Sequence, residues 1–270
     1  YKDRVRTMEL LARQWQNEHP ETVADDALER FINRQLEVWP DARRHFRELK
    51  QVQVRALGEL KVQLNPARIM STGAKIDKVS LAQRPCFLCA SNRPPEQLIK
   101  KWGTNFQMLV NPFPILPKHL TIVACQHQPQ HILEHYAEIH HLLEAYRHLT
   151  VFYNGPLCGA SAPDHLHFQA GEGHLLPLVA AWGRLSRSLQ PIITLNDEQS
   201  LSLITGYVCP AFVIRSHSEE ADTQLFNILY KALERHQNAA KPHTILSPDE
   251  EPMMNVLAWR HVEDIGRNVI

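Results

Sequence analysis

His165-Leu166-His167-Phe168-Gln169 is the stretch on which the reading of this chain turns. As a β-strand, its alternation puts His165, His167 and Gln169 on one face and Leu166 and Phe168 on the other. Two imidazoles and an amide then point the same way from a rigid, apolar-backed element. Just upstream, Asn154-Gly155-Pro156-Leu157-Cys158-Gly159-Ala160-Ser161 is a loop of small residues. Its backbone N–H groups, that of Gly159 among them, can cradle phosphate oxygens. A neutral imidazole beside such a cradle suits nucleophilic attack on phosphorus. The competing reading is a surface strand with two solvated histidines, because short motifs recur by chance.

Around this strand the pattern is strand, strand, helix, strand, strand. Residues 106–110 and 119–125 read as two strands joined by the turn Asn111-Pro112-Phe113-Pro114. Pro129 opens a helix whose Ile132, Tyr136, Ile139, Leu143 and Tyr146 repeat at helical spacing. Residues 151–153 form the strand that leads into the small-residue loop. Toward the N-terminus, Val5, Met8, Ala12 and Trp15, and then Leu28, Phe31 and Leu36, make two helical stripes punctuated by Pro20 and Pro40. Residues 51–70 shift toward strand. Beyond about residue 175 the cues weaken: 207–215 reads as a strand, 222–236 as a helix and 253–259 as a closing strand, with no element expected after His261 to cover it. Three regions follow: a helical extension over 1–58, a catalytic half over 59–175, and a C-terminal half over 176–270 whose order echoes the first as a degenerate repeat would. The expected fold class is α+β, a mainly antiparallel sheet with helices packed on it.

Composition narrows the function classes. An apolar fraction of 44% supports a packed core, and 29 basic against 29 acidic residues give no field for nucleic acid or a membrane surface. No apolar run reaches membrane-spanning length, and residues 1–4, Tyr-Lys-Asp-Arg, carry no secretory pattern. Five cysteines, an odd number, fit a disulfide framework poorly and a reducing cytoplasm well. Cys125, Cys158 and Cys209 sit among apolar or small residues and read as packed small hydrophobes.

Cys86 and Cys89 form a lone CxxC, which serves zinc, redox chemistry and chance alike. Polar company strengthens the metal reading. With His127 and His165 the two thiols complete a four-coordinate structural zinc site, with His131 as an alternative to His127. The redox reading needs a helix directly after the first cysteine, and Pro94 and Pro95 oppose one. The histidines 135, 140, 141 and 148 share no face with ligand spacing and read as packing or solvated groups. No phosphate-binding P-loop pattern is present.

The stretch Cys86-Phe87-Leu88-Cys89-Ala90-Ser91-Asn92, the strand ending at Asn111 and His165-x-His167-x-Gln169 resemble the galactose-1-phosphate uridylyltransferase branch of the histidine-triad superfamily. Gln63-Leu64-Asn65-x-x-Arg68, Asn111-x-x-Pro114 and His165-Leu166-His167-Phe168-Gln169-Ala170 resemble the GDP-hexose phosphorylases of that branch still more. The resemblance spans roughly residues 60–171. It implies a histidine-triad sheet in which His167 is the nucleophile that accepts a nucleoside monophosphate, and Gln169 the amide that hydrogen-bonds its phosphate oxygens. It implies Cys86, Cys89, His127 and His165 as zinc ligands, Asn111 at the ribose, Asn154 and Ser161 near the transferred phosphate, and Arg68 at a distal phosphate. Asn111 and Asn154 are equally turn residues, and Arg68 equally a surface cation. Two departures stand out. The Ser161 to His165 spacing is one residue longer than in the uridylyltransferases, and the phosphorylases lack the CxxC.

The implied function is a nucleotidyl transferase or phosphorylase acting on a nucleoside diphosphate sugar, with GDP-hexose in front. Its partners are inorganic phosphate or a sugar phosphate. Uridylyl transfer to a hexose phosphate and phosphorolysis of dinucleoside polyphosphates follow. The resemblance also implies a homodimer or fused halves. Two other classes remain open: a zinc-stabilised nucleotide-binding protein without turnover, and a hydrolase of adenylylated or capped molecules, against which Gln169 in place of a third histidine counts.

Overall fold

The computed structural model describes residues 20–68, 83–174, 176–196, 199–240, 251–261 and 267–270. The stripe of Val5, Met8, Ala12 and Trp15 lies outside them. Two helices come first, α1 (Pro20–Val38) and α2 (Pro40–Leu49). Pro40 opens α2, where its missing N–H has no helical partner to lose. Of the second stripe, Leu28 is buried, with Phe31 and Leu36 packed against the same core. A hairpin follows, β1 (Gln53–Leu57) and β2 (Leu60–Leu64), exposed along its whole length and separate from the main sheet.

Among the described residues the main sheet has ten strands. β3 (Lys100–Trp102), β4 (Phe106–Val110) and β5 (Leu120–Ala124) lead to the helix α3 (Ala137–Ala145), then β6 (Thr150–Asn154) and β7 (His167–Gly171). Next come β8 (Leu189–Asn196), β9 (Gln199–Ile204), β10 (Ala211–Ser216), the helix α4 (Glu219–Ala240), β11 (Asn255–His261) and β12 (Arg267–Val269). Across the sheet the order is β3-β4-β5-β7-β6-β11-β12-β10-β9-β8, and every ladder among the described strands is antiparallel. Read inward from each edge, the two groups of five have one topology: three strands, a helix, then two strands in swapped order. They meet along β6 and β11, with Phe152 opposite Leu257 and Asn154 opposite Asn255. The α+β class and the packed helices are as expected. The strand β12 corrects the expectation that nothing follows His261. It pairs with both β10 and β11.

Alternation assigns each sheet face. Leu166, Phe168 and Ala170 share one core with Val151, Tyr153, Ile139, Leu142, Leu201, Ile214, Leu225 and Ala258. On this face Tyr136, just before α3, stacks on Phe226 of α4 with ring centroids 3.8 Å apart. A buried His140–Asp222 contact of 2.9 Å joins the same two helices. On the opposite face the two groups differ. In the second, two helical turns, Pro177–Ala180 and Trp182–Leu185, press Trp182 edge-on against Trp259 within a cluster of Ile204, Val213 and Val269. In the first, the described residues leave a cavity on that face. Among the described residues no helix is long and apolar enough to cross a membrane.

Candidate active site

The cavity on this face of the first group has a volume of about 1150 Å³. His167 and Gln169 line it from β7, Asn154 and Phe152 from β6, Gly159 and Ser161 from the small-residue loop, Asn111 from the end of β4, and Arg68 from the segment after β2. Each residue assigned above to catalysis or phosphate binding therefore borders one space. Trp39, Asp41, Arg44 and His45, around the start of α2, close another side.

His167 is buried and held at three points. Its backbone N–H donates to Gln130 Oε1 at 2.8 Å, and Gln130 Nε2 returns a bond to its carbonyl at 3.0 Å and another to Asn154 O at 2.9 Å. Its ring Nδ1 lies 2.8 Å from His165 O. A carbonyl only accepts, so Nδ1 carries the proton and Nε2 keeps its lone pair. Burial draws the ring's pKa down to about 4, which leaves it neutral near pH 7.

Gln169 is fixed from both ends. His119 is fully buried, and its Nδ1 accepts the Ile115 N–H at 3.3 Å. The proton therefore sits on Nε2, which donates to Gln169 Oε1 at 3.0 Å. Burial and the nearby Arg68 hold this imidazole's pKa at about 3. The Gln169 amide nitrogen then faces Asn154 Oδ1 at 3.2 Å. Asn154 Nδ2 in turn donates to Asn255 Oδ1 at 3.3 Å, as does the Gly155 N–H at 3.3 Å. Each acceptor orients the next amide, so the row from Ile115 to Asn255 has one polarity. Sequence reasoning missed His119, Gln130 and Asn255, whose partners lie 50, 37 and 101 residues away.

Asn111 does what a turn asparagine does. Its Oδ1 accepts from Phe113 N at 2.9 Å, while Nδ2 donates to Thr121 Oγ1 at 3.1 Å. Arg68 donates to Phe113 O at 2.7 Å and is half-buried, which lowers its pKa.

Cys86, Cys89, His127 and His165 converge, with one donor atom from each lying within 4.8 Å of the others. Cys86 Sγ is 3.3 Å from His165 Nδ1, and Cys89 Sγ is 3.2 Å from His127 Nδ1 and 3.6 Å from His165 Nδ1. A tetrahedral centre with metal–sulfur bonds of about 2.3 Å and metal–nitrogen bonds of about 2.0 Å spaces S and N by roughly 3.5 Å, so the set fits. His165 Nε2 donates to Ala124 O at 2.9 Å, turning the Nδ1 lone pair toward the sulfurs. Burial lifts the Cys86 thiol to about 11, so a thiolate here needs a cation. The cluster can hold a metal ion. His131 takes no part in it and lies 3.2 Å from Tyr230 OH. The other cysteines correct the packing expectation: Cys125 and Cys209 are exposed and Cys158 is half-buried.

No curated protein matches the chain. Among solved structures, yeast Ap4A phosphorylase Apa2 in complex with AMP is similar over 87% of this chain and 78% of its own, at 17% identity and a TM-score of 0.46. The same yeast enzyme in complex with Ap4A is similar over 75% of each chain, at 16% identity and a TM-score of 0.45. A family model described as a domain of unknown function, DUF4922, matches residues 31–172, more than half of the sequence and the part that carries His167, Gln169 and the Cys/His cluster, and the chain belongs to that family.

Proposed function

We propose that this protein is a nucleotidyl transferase of histidine-triad type that works through a His167–nucleotide intermediate. One observation carries the reading: the His167 ring donates Nδ1–H to His165 O and is left with an unprotonated Nε2 in a cavity lined by Gln169, Asn154, Ser161 and Arg68. In the first step Nε2 attacks the α-phosphorus of a bound pyrophosphate, and the bond to the bridging oxygen breaks. The leaving phosphate departs with that electron pair, and the ring proton stays on Nδ1, hydrogen-bonded to His165 O. In the second step an oxygen of inorganic phosphate or of a sugar phosphate attacks the phosphorus and Nε2 regains its lone pair. Gln169 and the loop N–H groups bear the charge that develops on the phosphoryl oxygens. Gln169 occupies the position of a third histidine and has no proton to give a leaving group, which suits leaving groups that are already phosphates.

The cavity lies at or above the upper end of the usual small-ligand range of about 300–1,000 Å³, which leaves room for a two-part substrate. A nucleoside diphosphate sugar, GDP-hexose first, and a dinucleoside polyphosphate both meet that description. Zinc is the ion we assign to the Cys/His cluster. With four protein ligands it is a structural clamp with no open position, tying residues 86–89 to the strand that presents His167. We also read residues 176–270 as a degenerate copy of the unit in 59–175.

The test is to incubate the protein with labelled nucleotide sugars and dinucleoside polyphosphates without phosphate and to locate the label by mass. Label on His167, released as a nucleoside diphosphate when phosphate is added, is expected. No adduct with any candidate, together with full activity in His167→Ala, sinks the assignment.

A further inference from the structure

Arg84 is a second guanidinium on the cavity wall, alongside His167, Gly159 and Ser161. Its Nη2 donates to Ser161 O at 2.9 Å and lies 3.5 Å from Asp164 Oδ1. Its guanidinium carbon sits over the Phe87 ring, 5.2 Å from the centroid. About one-fifth of each side chain is exposed, 22% for Arg84 and 21% for Asp164, so this charge pair is largely withdrawn from water. The other oxygen of Asp164 faces His127 Nε2 at 3.9 Å, and His127 turns Nδ1 to Cys89 Sγ. A row of polar neighbours, two hydrogen-bonded links and two ion-pair contacts, therefore runs from Cys89 through His127, Asp164 and Arg84 to the carbonyl of Ser161 in the small-residue loop.

Two features give this row a direction. A guanidinium offers five N–H groups, and Nη2 alone makes the contacts to Ser161 and Asp164, so the fork keeps donors for an anion in the cavity. The Phe87 face and the Ser161 carbonyl limit the conformations open to the side chain, so little freedom is lost when a phosphate arrives. A carboxylate behind a ligating histidine fixes that ring and strengthens it as a ligand. Asp164 stands behind His127 at an ion-pair distance of 3.9 Å, and its other oxygen, which has no hydrogen-bond partner, faces Arg84 at 3.5 Å.

We propose that Arg84 binds the phosphate chain of the nucleotide substrate, and that Asp164 positions it by tying it to His127 of the metal-binding cluster. This rests on the nucleotidyl-transfer reading and adds to it a preference for ligands with more than one phosphate. Arg84 supplies the contact, Asp164 acts through Arg84, and the metal-binding cluster anchors both.

The full-length, zinc-loaded protein is titrated by calorimetry with the mono-, di- and triphosphates of adenosine and of guanosine. Affinity should rise with phosphate number in the wild type. In Arg84→Gln the triphosphate should lose about tenfold or more while the monophosphate stays within about threefold and zinc is retained. Arg84→Lys keeps the ion pair but not the fork, and should lose triphosphate affinity at an unchanged melting temperature; it decides the matter if the glutamine variant does not fold. Asp164→Asn should lose the same phosphate preference and yield its zinc to a chelator about tenfold more readily. Triphosphate affinity in the Arg84 variants equal to wild type overturns the binding role. Wild-type zinc retention and phosphate preference in Asp164→Asn overturn the positioning role. A wild type that forms the His167 adduct while the Arg84 variants bind as it does removes only this inference. A wild type that binds neither nucleotide series removes it together with the nucleotidyl-transfer reading.

Discussion

His119 Nε2 donates to Gln169 Oε1 across 3.0 Å, from a ring with no exposure to solvent. The bond settles which end of the Gln169 amide faces the cavity. Replacing His119 with phenylalanine keeps a ring of similar volume but removes the donor, and the amide is then held only by its bond to Asn154. We expect kcat for nucleotidyl transfer to fall by about 10²-fold, the usual cost of one misplaced donor to a developing charge. Nucleotide affinity should stay within a few-fold. Pre-steady-state measurement of adduct formation separates the two, and an unchanged rate removes His119 from the site.

The Cys/His cluster is tied to His167 through His165, two residues before β7 begins, because His165 Nδ1 faces Cys86 Sγ while its carbonyl accepts from the His167 ring. Cys86→Ser should therefore reduce bound zinc below one equivalent and lower the melting temperature by roughly 5–10 °C. A chelator should lower the wild-type melting temperature and leave that of the variant unmoved. Full zinc content in Cys86→Ser, measured by mass spectrometry of the metal, eliminates the assignment.

Gly155 and Gly159 lie in the small-residue loop and differ in why they are glycine. A Cβ on Gly155 would stand 2.6 Å from Met254 O, a backbone atom that cannot swing away. On Gly159 it would meet nothing within 4 Å, and the constraint is the φ of +97°. Gly155→Ala should cost roughly 2–3 kcal/mol by overpacking and also slow transfer, since it pries Asn154 from Asn255. Gly159→Ala should cost about 1–2 kcal/mol in backbone strain. Urea unfolding of both variants tests this order, which fails if the two are equal.

Glu251 is buried behind the same loop, accepting from Tyr153 OH at 2.5 Å and from Ile132 N at 2.9 Å. Burial outweighs both bonds and raises its pKa to about 7. The folded state thus holds this proton more tightly than the unfolded chain, whose carboxyl titrates near 4.5. The stability it contributes is whole below about pH 4.5 and is lost as pH rises through 7, amounting to at most ~3 kcal/mol. Melting temperatures across pH 4–8 should show this decline in wild type and a flatter curve in Glu251→Gln. Parallel curves for the two proteins refute the assignment.

Much of the sheet was legible, for physical reasons that also explain the gaps. The alternation of His165 to Gln169 could be read because its two faces meet different surroundings, helices behind and cavity in front. Cys86, Cys89, His127 and His165 could be read because thiols and imidazoles with polar company are scarce in a sequence. His119 could not: a single histidine after Pro117-Lys118 carries no periodic signal, and its partner is settled only when β5 pairs with β7. The strands β8 and β9 were missed because β8 lies at the sheet edge, largely exposed, and has no buried face to alternate with. The three-residue β12 is too short to show a period.

Asn154 and Asn255 sit face to face across the middle of the sheet, and that seam sets how small a working piece of this protein can be. The family match ends at residue 172, before any of β11. A polypeptide cut there would keep every residue proposed to touch substrate. It would also turn β6 into a naked border and strip the candidate site of its neighbour Asn255. The portion that lines the cavity and the portion that braces it are thus joined along one seam, and a fragment that stops short of it gives up the hold of Asn255 on Asn154 and Gly155.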